Sequence, residues 1–317
     1  VTDEREDSYD VVVVGGGAAG LGAALTLARV RRSVVVVDGG TPRNTPATGV
    51  HGLLALDGLP PAELLARGRE EVRGYGGEVV SGVVGTVTRR DEVFVATLAD
   101  GRAVRGRRLL AATGLTDELP DIPGLWQRWG RDVLHCPYCH GWEVRDQAIG
   151  VLATGPMSVH QALLFRQLSD DVTFFARGSA PAGEQARQLV ARGIHVVEGD
   201  VAALEITGDR LAGVRLADGT VVEREVVAVS PRMVARAGFL AGVGLYPTAH
   251  PMGEYVAVDA AGRTEVPGVW AAGNVTDLAA QVGAAAAAGA AAAAQINADL
   301  VAEDTRLAAG DLERTQR

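Results

Sequence analysis

Tyr9-Asp10-Val11-Val12-Val13-Val14-Gly15-Gly16-Gly17-Ala18-Ala19-Gly20 is the stretch on which the fold turns. Four consecutive valines after Asp10 are too short for a helix and too apolar for a half-exposed strand. They read as a parallel strand buried on both faces. Gly15-x-Gly17-x-x-Gly20 follows at once, and Leu21 to Arg29 continues as a helix. Ser33 to Val37 is a second apolar run, and it ends at Asp38, 18 positions after Gly20. Strand, glycine turn, helix, strand and acid in this order form a dinucleotide-binding fingerprint. Gly15 permits the tight turn, Gly17 lets backbone approach a pyrophosphate, and Gly20 lets the helix lie close to the strand. The helix N-terminus offers N–H groups and partial positive charge to phosphate. Asp38 suits a pair of ribose hydroxyls.

Working outward, residues 1–8 read as a polar, frayed start. Asp38 to Asn44 is a loop, and His51-Gly52 sits in another. Pro60 to Tyr75 reads as a helix. Residues 78–98 and 102–110 read as a small antiparallel layer with a turn at Asp100-Gly101. Leu109 to Gly114 is a strand entering a glycine turn. A second strand-turn-helix begins at Ala148 to Leu152, passes Ala153-Thr154-Gly155-Pro156-Met157-Ser158 and runs to about Leu168. Val172 to Ala176 and Gln185 to Arg192 continue it, and 194–229 supply further strands. Val266 to Asn274 is an apolar strand with a glycine turn, and an Ala-rich helix runs from Gln281 to Leu300. The chain therefore reads as α/β, with two doubly wound, Rossmann-like halves.

Both cysteines of the 317-residue chain fall in His135-Cys136-Pro137-Tyr138-Cys139-His140-Gly141-Trp142-Glu143. A Cys-x-x-Cys pair can cycle between dithiol and disulfide. Zinc would need a further ligand set, and six consecutive residues wrap one tetrahedral ion poorly, so no metal is expected. Two cysteines are too few for a secreted disulfide framework. Net charge is −9 with no basic block, which argues against nucleic acid or anionic membrane as a partner. The acidic start, Val1 to Asp10, reads as neither signal nor transit peptide. The expectation is a soluble, cytoplasmic redox protein.

At this point the chain resembles low-molecular-weight thioredoxin reductase-type flavoproteins, over nearly its whole length. The resemblance rests on Gly15-x-Gly17-x-x-Gly20, Ala112-Thr113-Gly114, Cys136-x-x-Cys139, a degenerate second nucleotide motif, and Ala272-Gly273-Asn274, in the family's order. It implies bound FAD, a homodimer, and an FAD domain split by an insertion: 1–117, then 118–246 carrying the cysteines, then 247–317. It implies cofactor contacts from Gly15, Gly17, Ala18, Ala19, Asp38, Gly39, Arg43, Asn44, His51, Gly52, Ala112, Thr113 and Gly114. Gly273, Asn274, Gln281 and Val282 would approach the isoalloxazine, and Val84 the adenine. Cys139 would be the charge-transfer thiol, and Cys136 the thiol that exchanges with substrate.

Three departures shape the functional expectation. His140 stands where the family has an acid, and a histidine can do acid–base work near neutral pH. Asn274 replaces an Asp. Ala153 replaces the first glycine of the NADPH motif, Pro156 removes an N–H, and only Arg177 remains of a 2′-phosphate cluster. The run Cys136 to Glu143 is similar to the active-site run of FAD-dependent dithiol oxidases that close disulfides in gliotoxin, holomycin and romidepsin biosynthesis. That resemblance implies oxidation of a small, holomycin-like dithiol, with O2 reduced to H2O2, as in antibiotic biosynthesis. Cys136 and Cys139 would exchange with the substrate, and His135 and His140 are the candidate bases. The alternative is an NAD(P)H-dependent thioredoxin or disulfide reductase.

Overall fold

A computed structural model describes residues 8–178 and 180–315, which fall into two compact units. The described residues of the first fall within 1–45, 61–116 and 234–317; those of the second fall within 46–60 and 117–233. The polar start up to residue 7 lies outside the described residues, and Ser8, expected in that frayed start, already belongs to a strand.

The first unit opens with β1 (Ser8–Val14), α1 (Ala18–Arg29) and β2 (Val34–Asp38). It continues through α2 (Pro61–Gly74), β3 (Glu78–Ser81), β4 (Val84–Arg90), β5 (Val93–Leu98) and β6 (Ala103–Ala111). β3 pairs parallel with β2, so it belongs to the main sheet and not to the antiparallel layer. β4 and β5 do form that layer, and β5 turns into β6 at Gly101, whose φ of +91° suits glycine. The valines of β1 and β2 alternate between two cores. Val11, Val13, Val34 and Val36 face α1, while Val12, Val14, Val35 and Val37 face Phe94, Leu109 and Leu240. All eight are 4% exposed or less, which is why the strands show no polar alternation.

β7 (Leu115–Glu118) carries the chain out of this unit. The second unit holds α3 (Leu125–Arg128), β8 (Val133–Leu134), α4 (Pro137–His140), β9 (Ile149–Leu152), α5 (Ser158–Phe165) and β10 (Val172–Phe175). α6 (Gly183–Ala191), β11 (His195–Val197), β12 (Val201–Thr207), β13 (Arg210–Leu216), β14 (Val221–Glu223) and β15 (Val226–Val229) complete it. Its parallel sheet has the order β11-β10-β9-β15-β8. β9 and α5 thus repeat the plan of β1 and α1.

β16 (Arg232–Ala235) returns the chain to the first unit. There β17 (Thr248–His250), β18 (Gly253–Tyr255), β19 (Val269–Ala271) and α7 (Val282–Thr315) finish it. The return comes at Val234, earlier than 247, because Ala235, Ala237, Phe239, Leu240 and Leu245 bury themselves with Val12, Val35 and Leu109. β19 pairs parallel with the last residues of β6, beyond the point where β5 leaves that strand. α7 runs past Leu300 to Thr315, longer than the apolar pattern indicates. Its polar continuation is held by ion pairs: Asp299 and Glu303 with Arg108, and Asp304 with Arg32 and Arg107. No described helix is long and apolar enough to cross a membrane.

Candidate functional site

The register of the first unit's sheet assembles a cradle. Val37, Val14, Ala111 and Ala271 lie side by side across β2, β1, β6 and β19. The chain therefore leaves all four strands from one carboxyl edge, into Asp38, Gly15, Ala112 and Ala272. This is where open α/β sheets bind ligands. Gly15 has φ +108°, and a Cβ on it would strike the Ala112 carbonyl. A Cβ on Gly20 would strike the Gly15 carbonyl, which lets α1 start directly under the strand end. Gly17 differs: a Cβ there would meet nothing within 4 Å. It is the N-cap of α1, and as a glycine it brings no side chain to cap the first-turn N–H groups.

Asp38 accepts a hydrogen bond from the Gly40 N–H at 2.9 Å and lies 3.4 Å from Arg69 of α2. Ala18, Ala19, Gly39, Arg43, Asn44, Val84, Thr113 and Gly114 also belong to this unit, as do Gly273, Asn274, Gln281 and Val282. Gly273 has φ +80°, and a Cβ there would stand 2.7 Å from the Ala19 methyl. The Asn274 amide donates to the carbonyls of Asp277, at 3.0 Å, and Ala280, at 2.8 Å. A carboxylate could donate neither bond, so Asn274 staples the loop into α7. Sequence reading missed Arg69 and Arg236. Arg236 donates to the Thr41 carbonyl and the Thr116 hydroxyl, and its own carbonyl accepts from the Thr113 hydroxyl at 2.7 Å. Nothing local in the sequence marks either arginine.

The second unit holds Cys136, Cys139, His135 and His140, together with His51 and Gly52. Cys136 and Cys139 form a disulfide, with Cα atoms 5.3 Å apart. Cys136 caps α4, Pro137 occupies its first turn, and the Cys139 and His140 amides donate back to the Cys136 carbonyl. A Cβ on Gly141 would strike the Pro137 carbonyl and Leu168, so only glycine ends this turn so tightly. Tyr138 and Trp142 are exposed, and the Arg145 guanidinium stacks 4.2 Å from the Trp142 ring centre.

The two histidines beside the cysteines differ. The His135 Nδ1 lies 3.3 Å from the Val229 carbonyl, and its own carbonyl accepts from Gln161. The His140 Nε2 is buried with no hydrogen-bond partner. Burial holds the His140 imidazole below its ordinary value; Glu143 opposes that shift and His51 adds to it. His51 lies 3.5 Å from Glu143 and 3.4 Å from Asp57. The motif at Ala153 to Ser158 is closed on itself. The Ser158 hydroxyl accepts from the N–H groups of Thr154, at 2.9 Å, and Gly155, at 3.2 Å. Arg177 donates to the Ala153 carbonyl at 3.2 Å.

A family profile described as "Pyridine nucleotide-disulphide oxidoreductase" matches residues 9–294. The chain belongs to this family. Over 99% of both chains it is similar to the crystal structure of HlmI, with 49% identity and a TM-score of 0.93. It is also similar to an oxidoreductase from Agrobacterium tumefaciens, at 35% identity and a TM-score of 0.87, covering 93% of this chain and 99% of the other. The thioredoxin reductase tcpT from Claviceps purpurea is 33% identical over 283 residues, 84% of this chain and 86% of tcpT. A pyridine nucleotide-disulphide oxidoreductase of this thioredoxin reductase-like kind is an FAD flavoprotein. The open space at Gly17, the bare start of α1 and the placed Asp38 fit that cofactor. Gly15 to Ala19 would hold its pyrophosphate, Asp38 its ribose, and Gly273 to Val282 would border its ring.

Proposed function

We propose that this chain is an FAD-dependent dithiol oxidase. It closes an intramolecular disulfide in a small natural product, a holomycin-like dithiol, while O2 becomes H2O2. The observation that carries the reading is the self-closed loop at Ala153 to Ser158. In a working nucleotide motif those N–H groups would face phosphate. Here Ser158 consumes two of them, Pro156 has none, and the remaining Arg177 is turned onto the loop itself. Reduction by NADPH is thereby disfavoured, while the disulfide is intact.

A substrate thiolate attacks the Cys136 sulfur, forms a mixed disulfide and releases the Cys139 thiolate. The second substrate thiolate attacks the substrate sulfur of that mixed disulfide. This closes the product disulfide and releases the Cys136 thiolate. Each substrate thiol must first lose its proton. We assign one of these protons to His140, whose neutral form burial favours and whose Nε2 has no hydrogen-bond partner, while His135 is held by Val229. FAD, when bound, would supply the two-electron acceptor for the Cys136 and Cys139 thiols, with O2 as the final oxidant. The same reading assigns the first unit as the FAD domain and the second as the inserted domain. It takes the enzyme as a cytoplasmic homodimer.

Anaerobic mixing tests the proposal. A small dithiol should bleach the visible flavin absorbance quickly and excess NADPH should not; the reverse would make the chain a reductase. The relatives named thioredoxin reductases support that second reading, and electron transfer to a thioredoxin-type protein would establish it. Cys136→Ser should abolish aerobic peroxide formation from dithiol and leave FAD content unchanged.

A further inference from the structure

The eroded nucleotide loop and the redox turn are joined by a chain of side chains. The Thr154 hydroxyl donates to the Ser230 carbonyl at 2.7 Å. The Ser230 hydroxyl donates to the Gln161 Oε1 at 3.2 Å. The Gln161 Nε2 donates to the His135 carbonyl at 2.8 Å. Gln161 projects from α5 and is only 5% exposed, so water is a poor substitute for either partner. His135 directly follows β8, whose Val133 and Leu134 pair with Val227 and Ala228 of β15. Its ring reaches the Val229 carbonyl. The residue before Cys136 is thus fixed by a strand ladder, by its ring and by its carbonyl.

Cys139 is held differently. Its amide and that of His140 bond only back to the Cys136 carbonyl, 3.3 and 3.2 Å away, within the single turn of α4. The two halves of the couple are unequally held.

We propose that Gln161 is a positioning residue: it fixes the Cys136 half of the couple, so that reduction moves the Cys139 half alone. This rests on reading the pair as one that exchanges with dithiols. Holding one sulfur still keeps the effective concentration of the two thiols high and favours the disulfide. Without the Gln161 donor the His135 carbonyl loses this bond and the turn loosens. The disulfide should then be easier to reduce.

The experiment equilibrates holoenzyme, with oxygen excluded, against dithiol–disulfide buffers and counts free Cys136 and Cys139 by alkylation. Gln161→Leu, and Gln161→Glu ionised, should shift the exchange constant about tenfold toward the dithiol, or about 30 mV. Ser230→Ala, which frees the Gln161 amide to turn, should shift it the same way by less, and Ser230→Thr should restore it. A folded Gln161→Leu holoenzyme with the wild-type constant overturns the proposal. If that variant does not fold, a wild-type constant in Ser230→Ala overturns it instead. A wild-type pair that never equilibrates removes the exchange reading and this inference with it. Wild-type equilibration with unchanged variants removes the inference alone.

Discussion

His140 carries the most specific chemistry at the scale of one residue. Its burial disfavours the imidazolium, so the neutral base persists to pH values below the ordinary histidine range near 6.5. The acid limb of dithiol exchange against pH should lie below that value. Glu143→Gln removes the contribution that raises the His140 value and should move the limb to lower pH. His51→Phe removes one that lowers it and should move the limb up. Stopped-flow exchange rates across pH read both. The unfolded chain takes up the His140 proton at higher pH than the folded chain, so folding stability falls as pH drops below about 6.5. His140→Gln should flatten that part of the urea-midpoint profile. The Cys136–Cys139 pair was legible in the sequence because its two sulfurs are three residues apart. The different standing of His135 was not, since it depends on Val229 and Gln161, brought near only by the fold.

At the scale of elements, α1 and α7 approach closely because small residues line their contact. A Cβ on Gly289 would strike the Ala19 carbonyl, and one on Gly22 would stand 2.8 Å from the Ala286 carbonyl. Both obstacles are backbone and cannot rotate away. Gly289→Ala should therefore cost roughly 1–3 kcal/mol, seen as a lower urea midpoint. The Ala-rich pattern made α7 readable up to Leu300. Its extension to Thr315 was hidden, because Glu303 and Asp304 give no apolar period and are held by arginines from β6 and from the turn after α1. β3 was misassigned for a related reason. Glu78–Ser81 is a short edge strand, and its pairing with β2 depends on where α2 returns the chain.

For the molecule as a whole, the fingerprint from β1 to Asp38 and the two-half plan were legible because valine runs, glycine spacing and turn residues agree. The clamp by Arg236 and the placement of 46–60 with the second unit are products of long-range contact. Cofactor and stability are coupled through the cradle. FAD at about a hundredfold excess over its Kd should stabilise the apoprotein by about 2.7 kcal/mol, read as a rise in the thermal midpoint. Gly17→Val should lose most of that rise. It should cost the apoprotein no more than about 1 kcal/mol, the scale of an altered N-cap, because no protein atom occupies the space.

The pairing of β19 with β6 also orders events on the ribosome. β1, β2 and β6 emerge early, but the strand and helix that complete their sheet and cover α1 are translated last. The second unit emerges in full before them and can fold while synthesis continues. A nascent chain stalled before Val269 would therefore carry a finished unit holding Cys136 and Cys139 and an unfinished cofactor cradle. On the proposed dithiol chemistry, the reactive sulfurs would exist before the group that reoxidises them could be held.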